Sequence, residues 1–151
     1  KIAGDDIHVP DLSYVQMIIK KCENTNGLAE YLGLVDNKTK IELIKKCKAV
    51  IACPRPSWIE AFGLYAVEAN AYGKPVLAIA NGGLNDIIVN QNNGFLAKTP
   101  RELQGYIERI YECSPESCRH RVEKLFTDEI MTENYLHIFE GVMKDEHEFR
   151  W

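Results

Sequence analysis

Gly73, Lys74 and Pro75 separate two stretches that cannot belong to one element. Glycine readily takes the left-handed backbone that closes a helix, and proline cannot continue one. A helix starting near Leu64 must therefore stop at Gly73. Val76 to Ala80 is apolar throughout and of strand length, and Gly82-Gly83 ends it. Ala49 to Cys53 is a second such run, upstream of the helix. Runs without polar alternation suit strands covered on both faces, as in a parallel sheet. The pattern predicts an α/β fold: a Rossmann-like, doubly wound parallel sheet flanked by helices, with right-handed crossovers. Ligands of such sheets sit beyond the carboxyl ends of the strands. The segment after Ala49–Cys53, which carries Glu60, Phe62 and Gly63, lies on that edge.

The remaining segments fit the same alternation. Ile2-Ala3-Gly4 closes a strand and Asp5-Asp6 follows. Ser13 is placed to cap a helix from Tyr14 to about Cys22, with Tyr14, Val15, Ile18, Ile19 and Cys22 on its apolar face. Asn24 to Gly27 reads as a turn and Leu28 to Leu34 as a strand. Thr39 and Glu42 have capping-box spacing ahead of a helix to about Lys46, with Ile41, Ile44 and Cys47 on one face. Past Gly83 come a short helix over Leu84–Val89, a turn at Asn90–Gly94 and a brief strand at Phe95–Ala97. Pro100 starts a helix to about Cys113, with Leu103, Ile107, Ile110 and Tyr111 inward. Pro115 opens another helix. Ile130–Met143 is a third, with Leu136, Phe139 and Val142 on its apolar face.

Composition narrows the function classes. The 151 residues suffice for one compact domain, and 46% hydrophobic with 26% charged is ordinary for a globular chain. A net charge of −4 lacks the basic footprint of a nucleic-acid binder. No apolar run is long enough to span a bilayer and no secretory signal is visible. His8, His120, His137 and His147 are scattered without ligand spacing, so no metal site is expected. Cys47 and Cys53 lie in apolar stretches and are expected as small buried hydrophobes. Cys113 and Cys118 flank Ser114-Pro115 and could pair, whereas a cytosolic compartment would keep them reduced.

The chemistry concentrates at the start of the Leu64 helix. A helix start leaves backbone N–H groups without partners, and the macrodipole adds partial positive charge. Gly63 has no side chain, so a phosphate can approach the N–H groups of Leu64 and Tyr65. Glu68, one turn in, would repel phosphate and is suited instead to accept hydrogen bonds from sugar hydroxyls. Glu60 can do the same for a second sugar. A diphosphate between two hydroxyl-bearing groups describes a nucleotide-sugar. The spacing of the two glutamates alone decides nothing, since Glu108/Glu116 and Glu140/Glu148 repeat it. Their setting is what distinguishes them: only Glu60 and Glu68 lie between an apolar strand and a glycine-ended helix, with Phe62-Gly63 between them. Trp58 lines the sugar site or, the favoured reading, packs against its rim.

The order P-x5-E-x-FG-x4-E-A-x2-YGKPV-x4-NGG-x2-D, from Pro54 to Asp86, resembles the donor-binding half of retaining GT-B glycosyltransferases of the family-four type. The likeness extends from Ile2-Ala3-Gly4 through Leu32-Gly33 to about Leu96, and more loosely beyond. Two departures stand out: Asp6 replaces a common glycine, and Asp86 replaces a common glutamate. The resemblance implies one half of a GT-B fold spanning 1–151 as a single nucleotide-sugar-binding domain. It implies that the domain's first strand and helix, an arginine–lysine pair on them, and an acceptor-binding N-terminal domain lie outside the chain. It assigns Glu60 a catalytic place orienting the transferred sugar. Phe62, Gly63, Leu64, Tyr65, Glu68, Gly4 and Val35 become donor-binding, with Leu34 to Asp36 near the nucleotide base. It further implies transfer of a hexosyl group with retention from a UDP- or GDP-sugar, without metal or other cofactor. The acceptor would be a glycan, a lipid-linked or a small molecule. The setting would be glycan biosynthesis in the cytoplasm, with peripheral contact at the inner membrane face open. These 151 residues alone are expected not to transfer sugar. The alternatives are a non-catalytic nucleotide-sugar-binding module and a GT-B-type sugar-nucleotide epimerase. The absence of a G-x-G-x-x-G stretch counts against a dinucleotide-binding domain.

Overall fold

The structure, a computed structural model, describes residues 1–4, 12–54 and 57–144. Asp5, Asp6, His8, His147 and Glu148 lie outside the described residues. The chain divides into two compact units, Lys1–Leu43 and Ile44–Trp151.

In the first unit, Ile2 and Tyr31 form a parallel bridge. The Ile2 N–H donates to the Glu30 carbonyl at 2.8 Å, and the Leu32 N–H to the Ile2 carbonyl at 2.8 Å. The expected strand at Leu28–Leu34 therefore shrinks to this short pairing, and Leu28 is 92% exposed in the bend before it. Helix α1 (Leu12–Glu23) buries Val15 and Cys22 as expected. Ser13 lies inside α1 rather than capping it, and Tyr14 is exposed. Helix α2 (Asn37–Lys46) begins two residues before Thr39, so the Thr39/Glu42 capping box does not form the start. Asp36 takes that role: its Oδ1 accepts the Thr39 N–H at 2.7 Å. The Thr39 hydrogen bonds hold the Asp36 carboxyl below its usual range. A carboxylate at the positive end of the helix thus satisfies the Thr39 N–H, a first-turn donor with no intrahelical acceptor.

The second unit carries the sheet. Strands β1 (Val50–Ala52), β2 (Val76–Ile79) and β3 (Gly94–Ala97) are parallel in the order β1-β2-β3. Helix α3 (Leu64–Ala71) connects the first pair and α4 (Leu84–Ile87) the second. The strand period of two sends alternate residues to two cores. Ala52, Val76 and Ala78 meet Ala66, Val67 and Ala69 of α3 and Leu84 and Ile87 of α4. Leu77, Phe95 and Ala97 meet Leu103, Ile110, Cys113 and Cys118 on the other face. Helices thus cover both faces, as the apolar runs predict. Phe95, Leu77, Leu84 and Ile87 are almost fully buried, each contributing about 1.5–3 kcal/mol relative to an exposed side chain. Strand β1 departs from the expectation of full burial. Among the described residues it pairs with β2 alone, and Ile51, alternating with the buried Ala52, is 58% exposed.

Helix α3 ends where Gly73 predicts. The Gly73 N–H donates to the Asn70 carbonyl and the Lys74 N–H to the Ala69 carbonyl, the paired bonds of a Schellman cap. Asn70 and Asn93, both buried, lock this turn to β3. The Asn93 amide donates to Asn70 Oδ1 at 2.7 Å and to the Ile87 carbonyl at 2.9 Å, while the Asn70 amide donates to the carbonyls of Lys74 and Asn93. Neither is left short of partners, which is what makes polar burial affordable.

The expected helix from Pro100 to Cys113 is two pieces: α5 (Pro100–Gly105) and a 3₁₀ turn (Ile107–Glu112). Tyr106 stacks on Phe95 with centroids 4.8 Å apart, and its hydroxyl donates to Glu102. After it, the tighter winding changes which residues share a face. Ile110 stays buried, but Ile107 and Tyr111 turn outward. Helix α6 (Pro115–Leu125) starts at Pro115 and packs on α3. Helix α7 (Asp128–Lys144) follows, with Leu136, Phe139 and Val142 of its apolar stripe exposed. All five cysteines are free, so Cys113 and Cys118 do not pair, and Cys47 is only half-buried and Cys53 exposed rather than buried. Cys113 and Cys118 are core thiols, and burial raises the pKa of each, that of Cys118 to about 12. No helix among the described residues is long and apolar enough to cross a membrane.

Candidate functional site

The start of α3 has the form expected from Gly63. That residue sits at φ 95°, ψ 52°, in the left-handed region, and no side chain caps the helix. A left-handed start is strained for any residue with a Cβ. The first intrahelical bond runs from the Ala66 N–H to the Gly63 carbonyl at 2.8 Å. A Cβ on Gly63 would come within 2.9 Å of Leu84 Cδ2 and 3.5 Å of Glu60 Cγ. Gly63, Glu60 and the start of α4 are therefore neighbours. The Leu64 side chain points out, 68% exposed.

Glu60 is half-buried, and its backbone is held from the loop between β2 and α4. Its N–H donates to Asn81 Oδ1 at 2.8 Å and its carbonyl accepts the Gly83 N–H at 2.8 Å. Asn81 also donates from Nδ2 to the Trp58 carbonyl at 3.0 Å. The two loops meet backbone to backbone. A Cβ at Gly82 would fall 2.0 Å from the Glu60 carbonyl oxygen, and one at Gly83 2.7 Å from that of Ala61. The glycine pair is thus required by contact with the Glu60 loop as well as by the end of β2. In the sequence, the N-G-G stretch is the signal for the role of Asn81.

The Glu60 side chain has one described donor, the Tyr65 hydroxyl, 3.3 Å from Oε2. Burial and the adjacent Glu60 carboxylate push the Tyr65 phenol up to about 12. Tyr65, chosen for its backbone N–H, thus also touches the expected sugar-orienting carboxylate. Glu68 is half-buried one turn into α3. Phe62 packs edge-on against Phe126 at 5.9 Å and stays 42% exposed. Behind it, Arg121 lies over the Phe126 ring and donates to the carbonyls of Asp86 and Ile87, closing the end of α4. Trp58 does not pack against the rim: it is 67% exposed, with its carbonyl held by Asn81.

Gly4 and Val35 belong to the first unit. The Gly4 N–H donates to the Gly33 carbonyl at 3.0 Å, and a Cβ at Gly4 would meet nothing within 4 Å. Val35 is half-buried just before the Asp36 cap. That unit also has a groove of about 420 Å³ lined by residues including Cys22, Glu30 and Tyr31, and neither Gly4 nor Val35 lines it. Among the described residues, no group of three His, Cys, Asp or Glu is placed to hold a metal ion.

The structure thus joins Glu60, Gly63, Tyr65 and the glycine loop into one rigid corner at the carboxyl ends of β1 and β2. Such a corner can present backbone N–H groups to an anion beside a carboxylate for hydroxyls.

Comparison with known proteins bears on this geometry. The family model described as glycosyl transferases group 1 matches residues 1–125. A D-inositol 3-phosphate glycosyltransferase of Nocardioides sp. is 34% identical over 92 residues, covering 60% of this chain and 20% of that protein. The matched part thus spans about a fifth of that relative's length. Among solved structures, AviGT4, a glycosyltransferase involved in avilamycin A biosynthesis, superposes with a TM-score of 0.73 at 19% identity, over 95% of this chain and 43% of its own. Anabaena HepE, in complex with UDP-glucose, superposes with a TM-score of 0.58 at 21% identity, over 79% of this chain and 33% of its own. At these identities the superpositions establish a shared fold.

Proposed function

The chain belongs to the group 1 glycosyl transferases, and on that premise we propose that it is the donor-binding domain of a longer retaining glycosyltransferase. The donor is a nucleotide-diphosphate hexose, such as a UDP- or GDP-sugar. Its diphosphate lies at the start of α3, against the N–H groups of Leu64 and Tyr65. Glu68 accepts from the ribose hydroxyls, and Glu60 from those of the transferred sugar. A separate domain brings the acceptor hydroxyl. The bond from the anomeric carbon to the diphosphate breaks and the nucleoside diphosphate leaves with the electron pair. The acceptor oxygen then bonds on the same face and gives its proton to the departing diphosphate oxygen. Donors fixed around the diphosphate stabilise the charge that develops there without a metal ion. The enzyme works in the cytoplasm on a glycan, a lipid-linked or a small-molecule acceptor.

The observation that carries this reading is the left-handed, side-chain-free start of α3 beside a carboxylate held in place by a second loop. HepE, of the same fold, was solved with UDP-glucose, which supports a sugar nucleotide as the ligand class. The test is calorimetric titration of UDP, UDP-glucose, GDP and GDP-mannose into the full-length protein. Glu68→Ala is expected to weaken every nucleotide that binds by about 1–3 kcal/mol. Unchanged affinity in a folded variant would remove Glu68 from the ribose site.

A further inference from the structure

Asn81 uses both ends of its carboxamide on the segment that carries Glu60. Oδ1 accepts the Glu60 N–H at 2.8 Å, and Nδ2 donates to the Trp58 carbonyl at 3.0 Å. Two residues on, the Gly83 N–H donates to the Glu60 carbonyl at 2.8 Å. Both backbone polar groups of Glu60 are therefore fixed by the β2–α4 loop, one by Asn81 and the other by Gly83. The loop cannot sink further, because Gly82 and Gly83 already touch the backbone of residues 60–62. It can only lift away, and Asn81 is the side chain that prevents this. A carboxamide alone suits the site, since one partner is a donor and the other an acceptor. Aspartate would satisfy the N–H but set a negative charge against the Trp58 carbonyl. Leucine would match the shape and satisfy neither. Asn81 is half-buried in a loop and belongs to neither apolar core of the sheet, so packing does not account for it.

We propose that Asn81 is a positioning residue: it sets the height of the Glu60 carboxylate against the sugar to be transferred. The inference rests on the reading of Glu60 as the acceptor of that sugar's hydroxyls. Asn81 touches neither nucleotide nor sugar in this scheme. Its loss should therefore separate recognition of the sugar from recognition of the nucleotide, which a general loss of stability would not do.

The experiment compares sugar nucleotide with bare nucleotide. UDP-glucose and UDP, and GDP-mannose and GDP, are titrated into full-length wild type, Asn81→Leu and Asn81→Asp, with Tm recorded for each. Asn81→Leu is expected to lower the affinity ratio of sugar nucleotide to nucleotide about tenfold, the effect of one lost hydrogen bond of about 1.4 kcal/mol. Affinity for the bare nucleotide should stay as in wild type. Asn81→Asp, which keeps the bond to the Glu60 N–H, should recover part of the ratio and serves alone should the leucine variant not fold. Amide exchange at Glu60 should quicken in Asn81→Leu, which leaves its N–H without the Asn81 acceptor, and less in Asn81→Asp. An unchanged ratio, or equal weakening of both ligands together with a lower Tm, would overturn the role of Asn81 alone. A wild type that binds none of these nucleotides would overturn the donor-site reading and this inference with it.

Discussion

Helix starts in this protein are of two kinds. At α5, Thr99 Oγ1 accepts the Glu102 N–H at 3.1 Å, and Glu102 reaches back to the Lys98 N–H at 2.7 Å. At α6, Ser114 Oγ accepts the Ser117 N–H at 3.0 Å. Both also carry proline in the first turn, where its missing N–H costs nothing. At α3 the corresponding residue is Gly63, with a left-handed backbone and no side chain to offer. A serine or threonine cap stabilises a helix by about 1 kcal/mol, and α3 forgoes it. The helix is held instead by its buried face of Ala66, Val67 and Ala69 and by the Schellman turn at its far end. Strong support at the body and far end of α3 offsets the missing cap. Helix α4 likewise starts at a glycine, Gly83, without a side-chain cap, but with a right-handed backbone.

The sharpest way to break this contrast is Gly63→Ala. At φ 95° a Cβ is strained, and it would stand 2.9 Å from Leu84 Cδ2. The two effects together should cost about 1–3 kcal/mol of stability and cut nucleotide affinity by at least tenfold. Thermal unfolding and calorimetry on the full-length protein read both. A variant that binds nucleotide like wild type would show that the α3 start is an ordinary helix end. Ser114→Ala is the complementary change and a smaller one. It should lower stability by about 1 kcal/mol and leave nucleotide affinity untouched. Loss of nucleotide binding in Ser114→Ala would mean that the two kinds of helix start are not functionally distinct.

The uncapped start could be read in the sequence because its signals are local. Gly63 precedes a helical segment and Gly73-Lys74-Pro75 ends it. The runs at Ala49–Cys53 and Val76–Ala80 could be read as parallel strands for the same reason. What escaped was an early helix start at Asp36 and, elsewhere, tertiary contact. Asp36 capped α2 in place of Thr39 because the helix began earlier than the box implied. The break at Tyr106 depended on its stacking against Phe95, a strand residue eleven positions away, and periodicity carries no record of such a contact. Asn81 lay within the quoted N-G-G stretch, yet its partners at Trp58 and Glu60 became visible only once the two loops were brought together.

Alkaline titration gives the smallest expected effect and sharpens the comparison further, because each kind of start has one acidic group pushed to about 12. In α3 it is the Tyr65 phenol, raised by burial and by Glu60; in α6 it is the Cys118 thiol, raised by burial and by Cys113. Both groups are neutral when protonated, and the folded state holds the proton more tightly than the unfolded chain. As pH rises past the ordinary thiol value of 9.0 and the ordinary phenol value of 10.0, the unfolded chain releases protons that the folded state keeps. Stability is therefore complete below about pH 9 and falls as pH climbs toward 12. Tm measured at steps from pH 8 to 11 should decline in the wild type. Cys118→Ala should reduce the part of the decline that begins near pH 9, to which the raised thiols of Cys47, Cys53 and Cys113 also contribute, at the cost of a small core cavity that lowers Tm equally at every pH. Tyr65→Phe should reduce the part that begins near pH 10. It should also alter sugar-nucleotide affinity, because its hydroxyl donates to Glu60, whereas Cys118→Ala should not. A Tyr65→Phe protein with wild-type affinity for every sugar nucleotide would make Tyr65 as purely structural as Cys118, and the two helix starts would then differ only in how they are capped.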